Sequence, residues 1–188
     1  MMRSNRGSGQ TQGDLVKGLA AGLTGGLVAS WTMNRFQDVW TKAAENMKGS
    51  QGNGSIGQGS KGEIEQSSGE EEDATVKAAS AISEGIFDHE LTKSEKKVAG
   101  PAVHYALGTS VGGLYGAVAE LAPEVTTGAG LPFGAAFWLV ADEGAVPLLG
   151  LSKAPTEYPL STHAYALASH FVYGLTTEIV RRAVRNAL

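Results

Sequence analysis

The chain contains no cysteine. This excludes disulfides, thiolate metal sites and a cysteine nucleophile, and leaves the compartment open. Charge is missing over two long stretches, since 98–119 and 125–141 hold no Asp, Glu, Lys or Arg. A basic excess is also missing. Lys and Arg number 15 against 19 Asp and Glu, a net charge of -4, so there is no general attraction for nucleic acid. No nucleophile motif, phosphate loop or metal-ligand spacing is present, so neither an enzyme nor a cofactor is expected.

What is present is glycine, 26 of 188 residues, and a segregation of charge that the near-neutral mean hydropathy conceals. Residues 1–13 are polar and read as a flexible N-terminus. The apolar run from Gly18 to Met33, extended by Leu15, Val16, Phe36, Val39 and Trp40, predicts a first transmembrane helix over 14–40. It reads as a signal anchor, because no small-residue cleavage site precedes Trp31. Residues 41–73 form a Gly/Ser-rich, acidic linker. Asp73 is placed to cap an amphipathic helix with Val76, Ala79, Ile82 and Ile86 at helical spacing, so 74–97 reads as that helix and an approach segment.

Residues 98–188 make the membrane domain, with apolar runs over 98–119, 125–141 and 160–177. The expected fold class is all-α, a polytopic helical membrane protein of about four transmembrane helices; three crossings with a re-entrant third run is the alternative. Four crossings leave both termini on one side. Arg181, Arg182 and Arg185, with Arg3, Arg6 and Lys17, place that side in the cytoplasm.

Small residues recur four apart in three runs: Gly18, Gly22, Gly26; Gly108, Gly112, Gly116; and Gly130 with Gly134. In lipid such spacing lets helix backbones approach and gain dispersion contacts. The ionisable groups in or at the ends of these runs are the functional candidates, because each is costly in hydrocarbon unless it faces a partner or water. They are His104, Glu120, Asp142, Glu143, His163, His170 and Glu178. His163, His170 and Glu178 share one helix face. Histidine titrates near neutrality, so these groups are candidate proton-responsive sites; the plainer reading makes each a satisfied hydrogen-bonding group between helices. A metal site is not expected, since seven residues separate the two histidines by about 10 Å along a helix. Adjacent Asp142 and Glu143 point about 100° apart on an α-helix, so one is expected to face inward. Gly144, Pro147 and Gly150 predict a helix break there, and the pair equally suits a membrane boundary.

The block Phe137, Trp138, Leu139, Val140, Ala141, Asp142, Glu143, then Val146, Pro147, Leu149, Gly150 and Leu151, resembles the bacterial YagU-like family of small inner-membrane proteins. Pro155, Pro159, His163, Ala164, Tyr165, His170, Tyr173 and Gly174 continue the resemblance, and His104, Tyr105, Gly108 and Gly116 precede it. The resemblance covers 98–188. It implies a multi-pass protein of the bacterial cytoplasmic (inner) membrane, linked to acid resistance, with no established catalytic residues. The functional expectation is support of acid tolerance or proton-responsive membrane homeostasis. The alternative is a non-catalytic accessory or assembly subunit, packing through its glycine faces against a larger membrane complex or as a homo-oligomer; in either case the lipid bilayer is the first partner.

Overall fold

Five helices account for most of the computed structural model, which describes residues 4–50 and 73–188, with side chains over 11–46 and 73–188. α1, Ser4–Ser50, is one unbroken helix of 47 residues. Helix thus also covers 4–13 and 41–50, where the composition predicts a flexible terminus and the start of a linker. Once the apolar middle is held by packing, each flanking residue extends the helix at little cost, and Gln, Lys, Ala, Glu and Met are good formers there. The rest of the expected linker lies outside the described residues.

α2, Ala74–Phe87, begins where the sequence places it: the Asp73 carboxylate accepts the Thr75 backbone N–H at 3.1 Å. It lies against α3 through Ala79 and Ser83, leaving Ile82, Ile86 and Phe87 exposed. α3, Lys93–Leu121, opens with a reciprocal cap, in which the Glu95 N–H donates to the Thr92 hydroxyl and the Thr92 N–H to the Glu95 carboxylate.

A tight reversal follows. Gly128, Ala129 and Gly130 take φ of 78°, 55° and 85°, a left-handed run that glycine adopts readily. Pro132 then sits in the first turn of α4, Leu131–Val140, where its missing N–H costs nothing. The break expected around Gly144, Pro147 and Gly150 comes at the last of these, and the helix is not interrupted at Gly144. The chain passes through a π-turn, Ala141–Ala145, into a last turn, Val146–Leu148, and the Val146 N–H reaches back five residues to the Ala141 carbonyl. The wide turn absorbs the irregular sequence, and the rod ends before Gly150 at φ 71°. Two proline-bearing turns lead into α5, Leu160–Ala187.

α1 packs against α3 and α5, and α4 against α5. Gly18 meets Gly116 and Gly26 meets Gly112, so α1 and α3 are antiparallel. Tyr173 donates to the Gly108 carbonyl and Tyr115 to Glu178, so α3 and α5 run parallel. Gly130 and Gly134 meet Gly174 and His170, which sets α4 antiparallel to α5. The order is therefore up, down, up, down. Lys17 Nζ donates to the Leu188 carbonyl at 2.8 Å and Arg185 to Asp14 at 3.0 Å, which puts the early part of α1 and the last turn of α5 at one end of the bundle.

Helix contact is backbone to backbone where the glycines lie. A Cβ on Gly112 would stand 2.6 Å from the Gly26 Cα, one on Gly116 2.7 Å from the Gly22 Cα, and one on Gly174 2.9 Å from the Gly134 Cα. None of those distances is reachable without separating helices. The apolar core is small: Ala29, Met33 and Tyr173, with Phe133 and Phe137 against it. Much of the remaining interior is polar, including Ser30, Ser169, His170, Thr177, Glu178 and Arg181, whereas Leu27, Trp31, Leu114, Leu139 and Ile179 stand outside. The expectation of an all-helical chain holds, with no strand among the described residues. No helix among them is long and apolar enough to cross a membrane.

Candidate functional site

A cavity of ≈ 480 Å³ opens between α1, α3, α5, the start of α2 and the π-turn. Five of the seven ionisable candidates line it: His104 from α3, Asp142 and Glu143 from the π-turn, and His163 and His170 from α5. The expectation that only one of the adjacent acids faces inward is corrected. A π-turn holds more residues per turn than an α-helix, so neighbouring side chains diverge by a smaller angle and both carboxylates reach the same space.

Each acid stands beside a histidine. His163 Nδ1 lies 2.6 Å from Glu143 Oε1, and its Nε2 lies 3.0 Å from the Pro155 carbonyl oxygen. A carbonyl only accepts, so Nε2 carries hydrogen. The Nδ1 to Glu143 contact then requires a further proton between the two groups, as imidazolium with carboxylate or as imidazole with carboxylic acid. The pair is net neutral with that proton and anionic without it. His170, almost fully buried, places Nδ1 2.9 Å from the Ala166 carbonyl and 3.6 Å from Asp142 Oδ2. Nδ1–H therefore goes to Ala166; Asp142 is too distant for a hydrogen bond but within ion-pairing reach of a protonated ring. The edge of the Phe137 ring, at a centroid distance of 5.2 Å, fixes the plane of His170.

Glu120 and Glu178 lie elsewhere, at the end of the bundle where the termini meet. From His163 to Glu178 the axis of α5 advances by about 22 Å, so the shared helix face serves two separate sites. The Glu178 carboxylate, 1 % exposed, accepts from Tyr115 at 2.9 Å, from Arg181 at 2.7 and 2.9 Å, and from Arg182. Glu120 accepts from Arg185 at 2.7 Å, and Arg185 also reaches Asp14. This cluster ties α1, α3 and α5 together. Read from the sequence, the arginines mark only sidedness, and Tyr115 is missed altogether. Arg181 and Arg182 follow Glu178 by three and four residues, the helical ion-pair spacing, and that is the readable signal. Nothing in the sequence points to Tyr115, which comes from another helix.

Among the described residues no three His, Asp or Glu side chains converge closely enough to hold a metal ion. A protein-family profile described as "Protein of unknown function (DUF1440)" matches residues 81–179, more than half of the chain. The match takes in both histidine–carboxylate pairs and leaves α1 outside. No curated protein and no solved structure matches.

Proposed function

The chain belongs to the family of unknown function DUF1440, and from that premise we propose that it is a YagU-like, multi-pass protein of the bacterial inner membrane that supports acid tolerance. Its proton-responsive centre is then the cavity holding Asp142, Glu143, His163 and His170.

The observation that carries this reading is the inverted distribution of polarity. Water-soluble bundles bury their large apolar side chains. Here Glu178, Arg181, Thr177 and Ser169 are inside, while leucines, Trp31 and Ile179 face out. Hydropathy averaged along a helix mixes the two faces. The glycines, with Ser30, Ser169 and Thr177, lower the average from the packed faces, and the outward faces are the ones that suit lipid. The 131–148 rod advances about 27 Å, close to the roughly 30 Å of a hydrocarbon core, so four crossings are taken at 18–33, 98–119, 131–148 and 160–177. Lys17, Arg181, Arg182 and Arg185 gather at the end carrying the termini, which by the positive-inside tendency is cytoplasmic.

In this reading the protein performs no catalysis. Glu143 and His163 hold one proton between two helical segments, with Asp142 and His170 beside them in the same cavity. Cells carrying Asp142→Asn or His170→Asn are expected to survive acid less well than cells with the unaltered protein, at equal amounts of membrane-inserted protein. Equal survival removes the proton-responsive role. Alkaline carbonate extraction tests the location, the expected result being retention in the membrane pellet; release into the supernatant overturns it.

The rival reading is an accessory subunit that docks through its glycine faces. The glycines of α1 face those of α3, and those of α4 face α5. With these faces occupied inside the chain, the self-contained reading is the stronger.

A further inference from the structure

We propose that the cavity binds a small organic ammonium ion, a protonated primary amine carrying an apolar body. The inference deepens the reading of this cavity as the polar centre of the protein.

It starts from two polar groups without partners. The Asp142 side chain is 39 % exposed, and among the described residues no donor stands within hydrogen-bond distance of it; its neighbour His170 has given its Nδ1 proton to Ala166 and lies 3.6 Å away. His104 Nε2 is buried with no partner among the described residues; in the tautomer that carries hydrogen on Nδ1 it is a lone-pair acceptor. Both groups border the same cavity. The unpartnered His104 nitrogen is buried, where polar groups ordinarily have a partner, and the Asp142 carboxylate is open to the cavity, so a ligand bearing several N–H groups can serve both.

Charge and shape select further. Beside the Glu143–His163 pair, which is neutral while it holds its proton, the described lining carries the carboxylates of Asp73 and Asp142 against one ammonium, Lys153, so an added anion is opposed and an added cation favoured. The remaining wall includes Met33, Leu107, Phe137 and Tyr173. Aliphatic and aromatic surface of this kind accepts the apolar body of a ligand, and ring faces attract a cation. The volume lies within the range of small-molecule sites, which combine apolar walls with a few placed polar groups.

The test uses the full chain purified in mild detergent at neutral pH. Benzylammonium, benzyl alcohol and benzoate, similar in size and different in charge, are titrated by calorimetry. Benzylammonium is expected to bind about ten-fold or more tighter than the alcohol, a difference of about 1.4 kcal/mol or more, and benzoate weakest of all. Asp142→Asn should bring the ammonium down to the level of the alcohol, and Asp142→Glu should recover part of the difference. Micelle partitioning is common to both proteins and cancels. Equal binding of ammonium and alcohol to the unaltered chain, or tighter binding of benzoate, overturns the proposal without recourse to any variant. The two readings fail separately. Loss of acid survival in Asp142→Asn without ammonium selectivity leaves the proton role and removes the amine site; selectivity with normal survival does the reverse.

Discussion

At the scale of single residues, the two carboxylate clusters are held by different physics. Glu178 is buried among guanidinium groups and a phenol, so it is ionised and fully bonded. Removing one partner of such a set strands the others. Glu178→Gln is expected to destabilise the bundle by about 3–5 kcal/mol, and Tyr115→Phe, which deletes one hydrogen bond to a charged acceptor, by about 1.5–3 kcal/mol; thermal unfolding in mild detergent measures both. Glu143 is partnered only by His163 among the described residues, and the two share a proton. Glu143→Gln keeps a hydrogen-bonding group in place and removes the titration. Acid survival should therefore fall in that variant while its melting temperature stays close to that of the unaltered protein.

At the scale of elements, helix starts and helix contacts carry the stability. The Thr92 backbone N–H and hydroxyl hold the Glu95 carboxyl below the usual glutamate range. A group whose folded pKa is depressed contributes above its unfolded pKa and loses that contribution as pH falls through the folded value. The protection factors of the amides at the start of α3, which correct for the intrinsic slowing of exchange in acid, should therefore fall as pH drops below the ordinary glutamate range, and Glu95→Gln should flatten that dependence. Between helices, glycine is required where backbones touch and dispensable where they do not. Gly112→Ala pushes a methyl group into the backbone of α1 and is expected to cost about 1–3 kcal/mol or more. At Gly85, in α2, an added methyl group would meet nothing within 4 Å, and Gly85→Ala should stabilise by about 0.5–1 kcal/mol through the lower backbone entropy of alanine. Opposite signs for the two substitutions in one unfolding assay check the assignment of the glycine faces.

At the scale of the whole molecule, several large apolar side chains stand outside and several polar ones inside, while no helix among the described residues is long and apolar enough to cross a membrane; carbonate extraction tests the lipid setting proposed above. Helical periodicity, the Asp73 cap and the glycine spacing are local properties, and local chemistry is legible in one dimension. From them the all-helical class and the start of α2 can be read directly, and some of the glycines at which helices touch can be named, whereas Gly25, Gly113 and Gly174, and the fact that the contacts fall within one chain, come from the fold. The candidate site is half legible. Its five residues can be named, because ionisable groups in apolar runs are conspicuous, but Glu120 and Glu178 fall in with them, since a shared helix face says nothing of distance along the axis. That Asp142 and Glu143 enter one cavity depended on a π-turn, whose wider winding replaces the break that Gly144 and Pro147 lead one to expect. That Tyr115 meets Glu178, and that Asp142 and His104 Nε2 border one cavity without partners, depended on α3 and α5 both packing on α1 and on α4 packing on α5. Pairings between segments far apart in the chain are set by packing, and only the tertiary structure decided them.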